Sequence, residues 1–250
     1  MEKVNFENSR NLNLVGNLYL ADNESIVIMA HGFTGDKSEW GRFDKTAEAL
    51  NKAGYNVLAF DFSGSGESDN DSLTVDKEVD DLNCAIKFVL DRGFKKIALL
   101  GLSLGGLISL KVYSPEKNIK TMVLWAPVTS KKDNYSKKKF TPAELKELKE
   151  KGYITKIMEA GVRKKIIIDK QIVKDMESIN QKELLSKIKL PVLIIHGDKD
   201  ESVPLEDSKN AIKYLPPESK LEIIKGATHD FTEQLDTIID LTTNWFKLYL

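Results

Sequence analysis

The stretch KIALLGLSLGG at residues 96–106 decides the fold of this chain. A short run of branched apolar residues typical of a buried strand ends at Gly101, and a helix-compatible stretch begins at Leu107. Between them lies a Gly-x-Ser-x-Gly motif centred on Ser103. A serine on a sharp turn between a strand and a helix exposes its hydroxyl, and the flanking glycines let the neighbouring backbone pass closely. The motif therefore predicts a nucleophilic serine at position 103.

Similar apolar runs occur on both sides of this motif, with helical segments between them. The predicted strands lie at residues 25–30, 56–62, 96–100, 121–126, 191–196 and 220–225. Residues 74–90 and 231–246 carry apolar side chains at helical spacing. This alternation predicts a doubly wound α/β sheet, which is mostly parallel because its strands are apolar throughout. Residues 12–20, with Gly16 among them, are predicted to form antiparallel hairpin strands at the sheet edge.

One long segment interrupts the alternation. Pro127 and Pro191 are separated by about 60 residues where a short crossover would suffice. We predict that residues 130–189 form a cap insertion over one end of the sheet, with a helix at 142–151 and two short strands. The lysine runs at 131–132 and 137–139 could bind phosphate, but acidic residues follow soon after, and a solvated face is the favoured interpretation.

The composition fits a single domain, residues 1–250, of an ordinary globular protein. Lys and Arg number 37 and Asp and Glu 38, so no net field would attract nucleic acid or an anionic membrane. No apolar run is long enough to cross a bilayer, and no secretory signal pattern follows Met1. The single Cys84 excludes an internal disulfide and a multi-cysteine metal site. We expect a cytoplasmic protein, and the sequence leaves open whether it forms a homodimer.

Only one of the three histidines suits the role of a base for the serine. A serine hydroxyl is too weakly acidic to attack unaided and needs a proton acceptor. His229 lies in GATHDF, between the last predicted strand and helix, from where it could reach back to Ser103. His31 precedes the serine, whereas the histidine follows the serine in enzymes with this elbow. His196 ends a strand before a glycine and is expected to be structural.

The acid that would orient this base is expected in HGDKDESVP, residues 196–204. Two aspartates compete there, and spacing alone does not separate Asp198 from Asp200. Asp230 adjoins the histidine, but side chains of successive residues diverge. Asp207 lies further along, in a predicted helix.

An acyl-transfer reaction also needs two N–H groups that stabilise the oxyanion. The first candidate is the amide of Leu104, which follows the serine. The second is the amide of Phe33 in the sequence His31-Gly32-Phe33 after the strand at 25–30, since Gly32 permits a close approach. The alternative is that His31-Gly32 only ends the strand.

Five motifs in this order make the chain resemble the α/β-hydrolase superfamily over nearly its whole length. They are HGF from His31, DFSGSGES from Asp61, GLSLGG from Gly101, HGDKDESVP from His196 and GATHDF from Gly226. The resemblance implies an eight-stranded, mostly parallel sheet with helices on both faces and a cap insertion after the sixth strand. It also implies a hydrolase that uses no metal or organic cofactor.

The resemblance assigns the site residue by residue. The family pattern HGxxDxxVP aligns its acid with Asp200 rather than Asp198. The implied catalytic residues are Ser103, Asp200 and His229, with the amides of Phe33 and Leu104 as the oxyanion hole.

At finer grain, the HGF loop, the chain length and the moderate insertion resemble bacterial carboxylesterases of the feruloyl (cinnamoyl) type. This implies hydrolysis of small short-acyl or aryl esters through an acyl-enzyme on Ser103. A monoacylglycerol lipase or an acyl-thioesterase would share this chemistry. A serine aminopeptidase and a non-catalytic ligand-binding homologue are further alternatives, whereas a serine at position 103 argues against a haloalkane dehalogenase.

Candidate substrate-binding residues are Trp40, Trp125 and Tyr153, with the Phe33 side chain as a further wall. Most of the other large apolar residues of the insertion are expected to form a small core of its own: Tyr135, Phe140, Ile154, Ile157 and Met158. A mainly charged cap with few exposed apolar positions suits small acyl groups better than long chains.

Overall fold

The computed structural model describes residues 1–159 and 161–250. Its strands are β1 (Glu2–Glu7), β2 (Asn13–Tyr19), β3 (Ser25–Ala30), β4 (Asn56–Phe60), β5 (Ser72–Leu73), β6 (Lys96–Leu102), β7 (Ile119–Trp125), β8 (Tyr153–Ile157), β9 (Lys165–Asp169), β10 (Val192–Gly197) and β11 (Lys220–Ile224). Its α-helices are α1 (Arg42–Lys52), α2 (Val75–Asp91), α3 (Leu104–Val112), α4 (Tyr135–Lys139), α5 (Pro142–Lys151), α6 (Gln171–Glu177), α7 (Gln181–Ser186), α8 (Leu205–Ala211) and α9 (Leu235–Tyr249). None of the helices in these described ranges is long and apolar enough to span a membrane.

The central sheet has eight strands in the order β1-β2-β4-β3-β6-β7-β10-β11. Strands β4, β3, β6, β7, β10 and β11 are mutually parallel, whereas β1 and β2 run antiparallel at one edge. The predicted mostly parallel sheet is therefore confirmed. Because the carboxyl ends of parallel strands meet at one edge, the loops after β3, β6, β10 and β11 come together there.

The sheet is covered by helices on both faces, because its inner strands are apolar on both sides. In β3, Ile26 and Ile28 pack in one hydrophobic layer, and Val27 and Met29 pack in the other. Helices α2 and α3 bury their apolar sides in the first layer, and α1 and α9 bury theirs in the second. The two layers hold the strand ends in fixed positions.

The predicted edge hairpin is wrong in its position. Residues 13–19 form the single strand β2, whose antiparallel partner is β1, with Val4 opposite Gly16. The turn is made by Asn8, whose side-chain Oδ1 accepts hydrogen bonds from the amides of Arg10 and Leu12, both at 3.0 Å. Gly16 lies in mid-strand, where a Cβ atom would come within 2.9 Å of Leu58 Cδ1. It permits close packing against β4 and makes no turn.

The segment at residues 130–189 lies between β7 and β10 and contains α4 to α7 with β8 and β9. Strands β8 and β9 form an antiparallel pair, and β5, from outside the segment, adds a third strand parallel to β9. The expected separate core of the insertion is not found. Phe140 and Ile154 are buried in the same hydrophobic cluster as α2 and α3, whereas Ile157 is 68% exposed. The insertion is packed as part of the main fold.

Candidate active site

Ser103 lies alone between the end of β6 and the start of α3, with φ 54° and ψ −112°. A serine in the left-handed region is strained, and the surrounding contacts hold it there. Its amide donates to Trp125 O at 2.9 Å, and its carbonyl accepts from the Val128 amide at 3.0 Å. A Cβ atom on Gly105 would lie 2.1 Å from Ala30 O, so the motif needs glycine there for close packing of α3 on β3.

His229 and Asp200 are brought together by the loops after β11 and β10. His229 Nδ1 lies 2.7 Å from Asp200 Oδ2. An ionised carboxylate at this distance holds the proton on Nδ1 and leaves Nε2 free to accept another. His229 and Ser103 line the same cavity.

Asp200 is held in its ionised form by a set of donors. Burial opposes ionisation, but hydrogen bonds from His196 and His229 hold the pKa of Asp200 well below its ordinary value. The other carboxylate oxygen accepts hydrogen bonds from the amides of Ser202 and Val203, both at 2.8 Å. The side chain is fully buried. The site therefore contains a fixed anion behind the imidazole.

The competing carboxylates have other partners. Asp198 is exposed and accepts a hydrogen bond from the Gly226 amide at 2.6 Å, which ties the loops after β10 and β11 together. Asp207 forms an ion pair with Lys132. Asp230 accepts from the hydroxyl of Thr228 at 2.8 Å. Of the four aspartates considered, Asp200 is the one in hydrogen-bond contact with His229.

The other two histidines are buried and use both ring nitrogens locally. His31 Nε2 accepts from the Phe62 amide at 3.2 Å, and Nδ1 lies 2.9 Å from Gly32 O. His196 Nδ1 lies 2.7 Å from the hydroxyl of Ser208. Its Nε2 lies 2.9 Å from Val203 O and 3.2 Å from Asp200 Oδ2. His31 therefore shapes the loop after β3, and His196 supports Asp200.

The loop after β3 borders the serine, as the oxyanion-hole prediction requires. Gly32, Phe33 and Leu104 line the cavity together with Ser103. Among the described residues, no protein acceptor takes a hydrogen bond from the amide of Phe33 or Leu104. Two N–H groups beside the serine are thus free for a ligand oxygen.

Sequence reasoning missed the support of this loop, which comes from Glu39. The Gly32 amide donates to Glu39 Oε1 at 2.6 Å, and Arg42 forms an ion pair with Glu39 Oε2 at 2.9 Å. The Glu39 side chain is only 2% exposed. No sequence motif reveals this contact, because Glu39 and Trp40 adopt left-handed backbone conformations with φ 48° and 56°. The one sequence feature that indicates a turn here is Gly41, which follows Trp40.

The cavity that contains Ser103 and His229 has a volume of about 1060 Å³. Trp40, Phe33 and Tyr135 contribute aromatic walls, and Trp40 is the one of the three predicted substrate-binding residues that lines the cavity. The other two predicted substrate-binding residues, Trp125 and Tyr153, do not lie there and need correction.

Trp125 points into the core, and Tyr153 lies on the insertion. Trp125 ends β7 on the side packed against α1 and α9, where it is 1% exposed and its Nε1 donates to the Thr242 hydroxyl at 3.0 Å. Tyr153 begins β8 opposite Asp169, and the ammonium of Lys151 lies 6.0 Å from its ring centroid. Neither side chain is among those that border the cavity.

The lysine runs are mostly exposed, as expected for a solvated face, and they also border the cavity. Four of their five members line it: Lys131, Lys132, Lys138 and Lys139. Lys137 is not among the described residues that line it. The cap side of the cavity is therefore cationic.

Residues 21–178 match the family model described as serine aminopeptidase, S33. A Klebsiella pneumoniae protein named 2-hydroxy-6-oxononadienedioate/2-hydroxy-6-oxononatrienedioate hydrolase is 33% identical over 107 residues, which cover 41% of this chain and 36% of that protein. A Mycoplasma pneumoniae protein named as a candidate esterase/lipase is 30% identical over 113 residues, 45% of this chain and 41% of that protein. The matches thus span about two fifths of the length of these curated relatives.

Solved structures match over nearly the whole chain. An esterase of Pyrococcus furiosus has a TM-score of 0.77 at 26% identity and covers 99% of this chain and 92% of its own. A protein of Butyrivibrio proteoclasticus, solved with ferulic acid bound, has a TM-score of 0.78 at 24% identity and covers 97% of both chains. These superpositions confirm the fold predicted from the sequence.

Proposed function

The chain belongs to the α/β-hydrolase family whose model is described as serine aminopeptidase, S33, and from this premise we propose that it is a serine carboxylesterase acting on short-acyl or aryl esters. The observation that carries the proposal is the 2.7 Å contact between His229 and the buried Asp200, in the cavity that also contains the elbow serine Ser103. A base oriented by a third group, in one cavity with a weak nucleophile, is the set of groups that nucleophilic catalysis needs, and this supports the proposal.

In the proposed mechanism Ser103 attacks the ester carbonyl while His229 Nε2 accepts the hydroxyl proton. Asp200 stabilises the imidazolium that forms and holds the ring in one tautomer. The amides of Phe33 and Leu104 donate to the oxyanion of the tetrahedral intermediate. His229 then protonates the leaving alcohol, and water repeats the cycle on the acyl-enzyme.

The carboxylates around the cavity bear on the choice between an ester and an aminopeptidase substrate. An aminopeptidase needs a carboxylate free to bind the substrate's ammonium group. The buried carboxylate in the cavity wall, Glu39, is already neutralised by Arg42 and bound to the Gly32 amide. Asp133 and Asp207 are paired with lysines. Glu201 and Asp230 also line the cavity, and no cation of the described residues lies within 4.0 Å of either carboxylate, so the aminopeptidase alternative stays open. The similarity to an esterase of Pyrococcus furiosus supports an ester substrate.

We also propose that residues 130–189 act as the cap that shapes acyl preference. Helix α5 exposes no broad apolar face toward lipid, because its Leu145 and Leu148 are partly buried against the core. The aromatic side chains Phe33, Trp40 and Tyr135 could pack against an aryl acyl group. The similarity to a Butyrivibrio proteoclasticus protein solved with ferulic acid supports aryl esters as substrates in this proposal.

A substrate panel tests this specificity. We expect kcat/KM for p-nitrophenyl butyrate to exceed that for the palmitate ester by at least about tenfold, because a long alkyl chain would have to lie against the lysines that line the cavity. Methyl ferulate should be hydrolysed as well. A kcat/KM for the palmitate ester above that for the butyrate ester would favour the lipase alternative. Hydrolysis of the butyrate ester without hydrolysis of methyl ferulate would contradict the proposed activity on hydroxycinnamoyl esters.

The pH dependence tests the proposed base. Acidification should lower kcat/KM through the range in which imidazoles take up a proton, about pH 6–7, and activity should level off at higher pH. Asp200 does not contribute to this fall, because its lowered pKa keeps the carboxylate ionised in more acid solution. The measurement is kcat/KM for p-nitrophenyl butyrate between pH 5 and 9. A flat profile, with chemistry shown to limit the rate, would contradict a histidine base.

A further inference from the structure

The last residue of α4, Lys139, places a positive charge in the cavity beside the loop that follows β3. Its Nζ lies 5.1 Å from the centroid of the Phe33 ring, within the range of a cation–π contact. Both side chains line the cavity that contains Ser103. The Phe33 side chain therefore lies between the Lys139 ammonium and the Phe33 amide, which is the proposed oxyanion donor.

Most cations around this cavity are neutralised by a carboxylate. Arg42 is paired with Glu39 at 2.9 Å, and Lys131 with Asp133 at 2.7 Å. Lys132 is paired with Asp207. Lys138 and Lys139 differ, because no carboxylate of the described residues lies within 4.0 Å of either ammonium. The cavity wall thus has two cations whose counter-ions the described residues do not supply, and Lys139 is the one beside the Phe33 ring.

The surroundings of Lys139 favour an anionic ligand. Partial desolvation lowers the pKa of the Lys139 ammonium, and the charge of Lys156 lowers it further. Lys156 is itself paired with Glu144 at 2.9 Å. The Phe33 ring compensates only a part of the lost hydration. A carboxylate bound in the cavity would supply the missing charge and a charge-assisted hydrogen bond.

We infer that this cavity selects esters whose acyl group ends in a carboxylate, and that Lys139 binds that carboxylate. The inference rests on the proposed esterase function and names its substrate class as monoesters of short dicarboxylic acids. In this inference, an ester whose carbonyl oxygen lies at the Phe33 amide places its acyl chain along the Phe33 ring, toward the ammonium 5.1 Å from the ring centroid. Lys139 is then a specificity-determining residue on the acyl side of the scissile bond.

The test compares monomethyl glutarate with methyl hexanoate, a neutral ester of similar length. The native chain should hydrolyse the anionic ester with a kcat/KM at least about tenfold higher. Lys139→Gln should lower kcat/KM for monomethyl glutarate by about 10- to 100-fold, as expected for the loss of a hydrogen bond to a charged group. It should leave methyl hexanoate within about twofold. Added salt should reduce the preference in the native chain and leave Lys139→Gln unaffected.

Lys137→Gln is the matched control, because it removes the same charge two residues away on the same helix. Lys137 is exposed and is not among the described residues that border the cavity. Its variant should keep both rates within about twofold of the native values. If Lys139→Gln behaves like Lys137→Gln, or if the native chain does not prefer the anionic ester, the inference is overturned and the esterase proposal stands.

Two further results separate the inference from the function on which it rests. A stronger preference for a carboxylate on the alcohol side, as in the butyrate ester of glycolate, would overturn the acyl-side placement. Absence of hydrolysis of any ester that depends on Ser103 would overturn the esterase proposal and the inference together.

Discussion

Replacing Ser103 by alanine should lower kcat for ester hydrolysis by about 10⁴-fold or more while the chain folds normally. The backbone strain at φ 54° is the same for serine and alanine, so the substitution adds none. Within residues 1–159 and 161–250, no hydrogen bond is made by the Ser103 hydroxyl, so its removal breaks no contact of the fold. The loss should therefore appear in catalysis and not in thermal stability.

The measurement is kcat for p-nitrophenyl butyrate, together with the melting temperature of each variant. Ser202→Ala is the matched control, because Ser202 also lines the cavity but lies outside the proposed catalytic set. Its kcat should stay within about threefold of the native value. If Ser103→Ala has a kcat comparable to that of the native chain, with contaminating esterases excluded, Ser103 is not the nucleophile.

Asp200→Asn should lower kcat by about 10⁴-fold, and the contacts of the carboxylate explain why. One oxygen accepts hydrogen bonds from the amides of Ser202 and Val203, so the asparagine carbonyl must take that position. Its NH₂ group then faces His229 Nδ1 as a donor. The imidazole is forced into the tautomer with its proton on Nε2, where it can no longer accept the proton of Ser103.

Asp198→Asn is the control for this prediction. The asparagine carbonyl can still accept the hydrogen bond from the Gly226 amide, and Asp198 has no contact with His229. We expect less than a tenfold change in kcat. Both variants should be compared in kcat and in melting temperature, since Asp200 also supports its own loop. A larger kcat loss for Asp198→Asn than for Asp200→Asn would show that the family pattern aligns the wrong carboxylate.

The parts of the site that lie next to regular elements could be predicted from the sequence. The elbow is set by local rules, because an apolar strand, two glycines around Ser103 and a helix are contiguous in the chain. The approach of His229 to Asp200 follows from the parallel order of β10 and β11, which brings the loops after them to one edge. In this geometry Asp200 contacts His229, and Asp198 contacts the Gly226 amide.

The residues that were missed or misplaced depend on non-local geometry. The side chains of a strand alternate between the two faces, and the register of β7 turns Trp125 toward the core instead of the cavity. Glu39 reaches the Gly32 amide only because the backbone turns through consecutive left-handed residues. The edge turn depends on the side chain of Asn8, which no periodicity reveals. These features follow from contacts that form only in the folded chain.

The attachment of the insertion to the rest of the fold has a consequence for how substrates reach the serine. Strand β9 pairs with β5, Asp175 accepts a hydrogen bond from the Val75 amide at the start of α2, and Arg163 binds the backbone of Gly66 and Ser68. A hinged opening of the whole insertion would break all of these bonds at once. We therefore expect the entrance to keep its width when substrate binds. We also expect no rise in activity when the substrate is presented at a lipid–water interface.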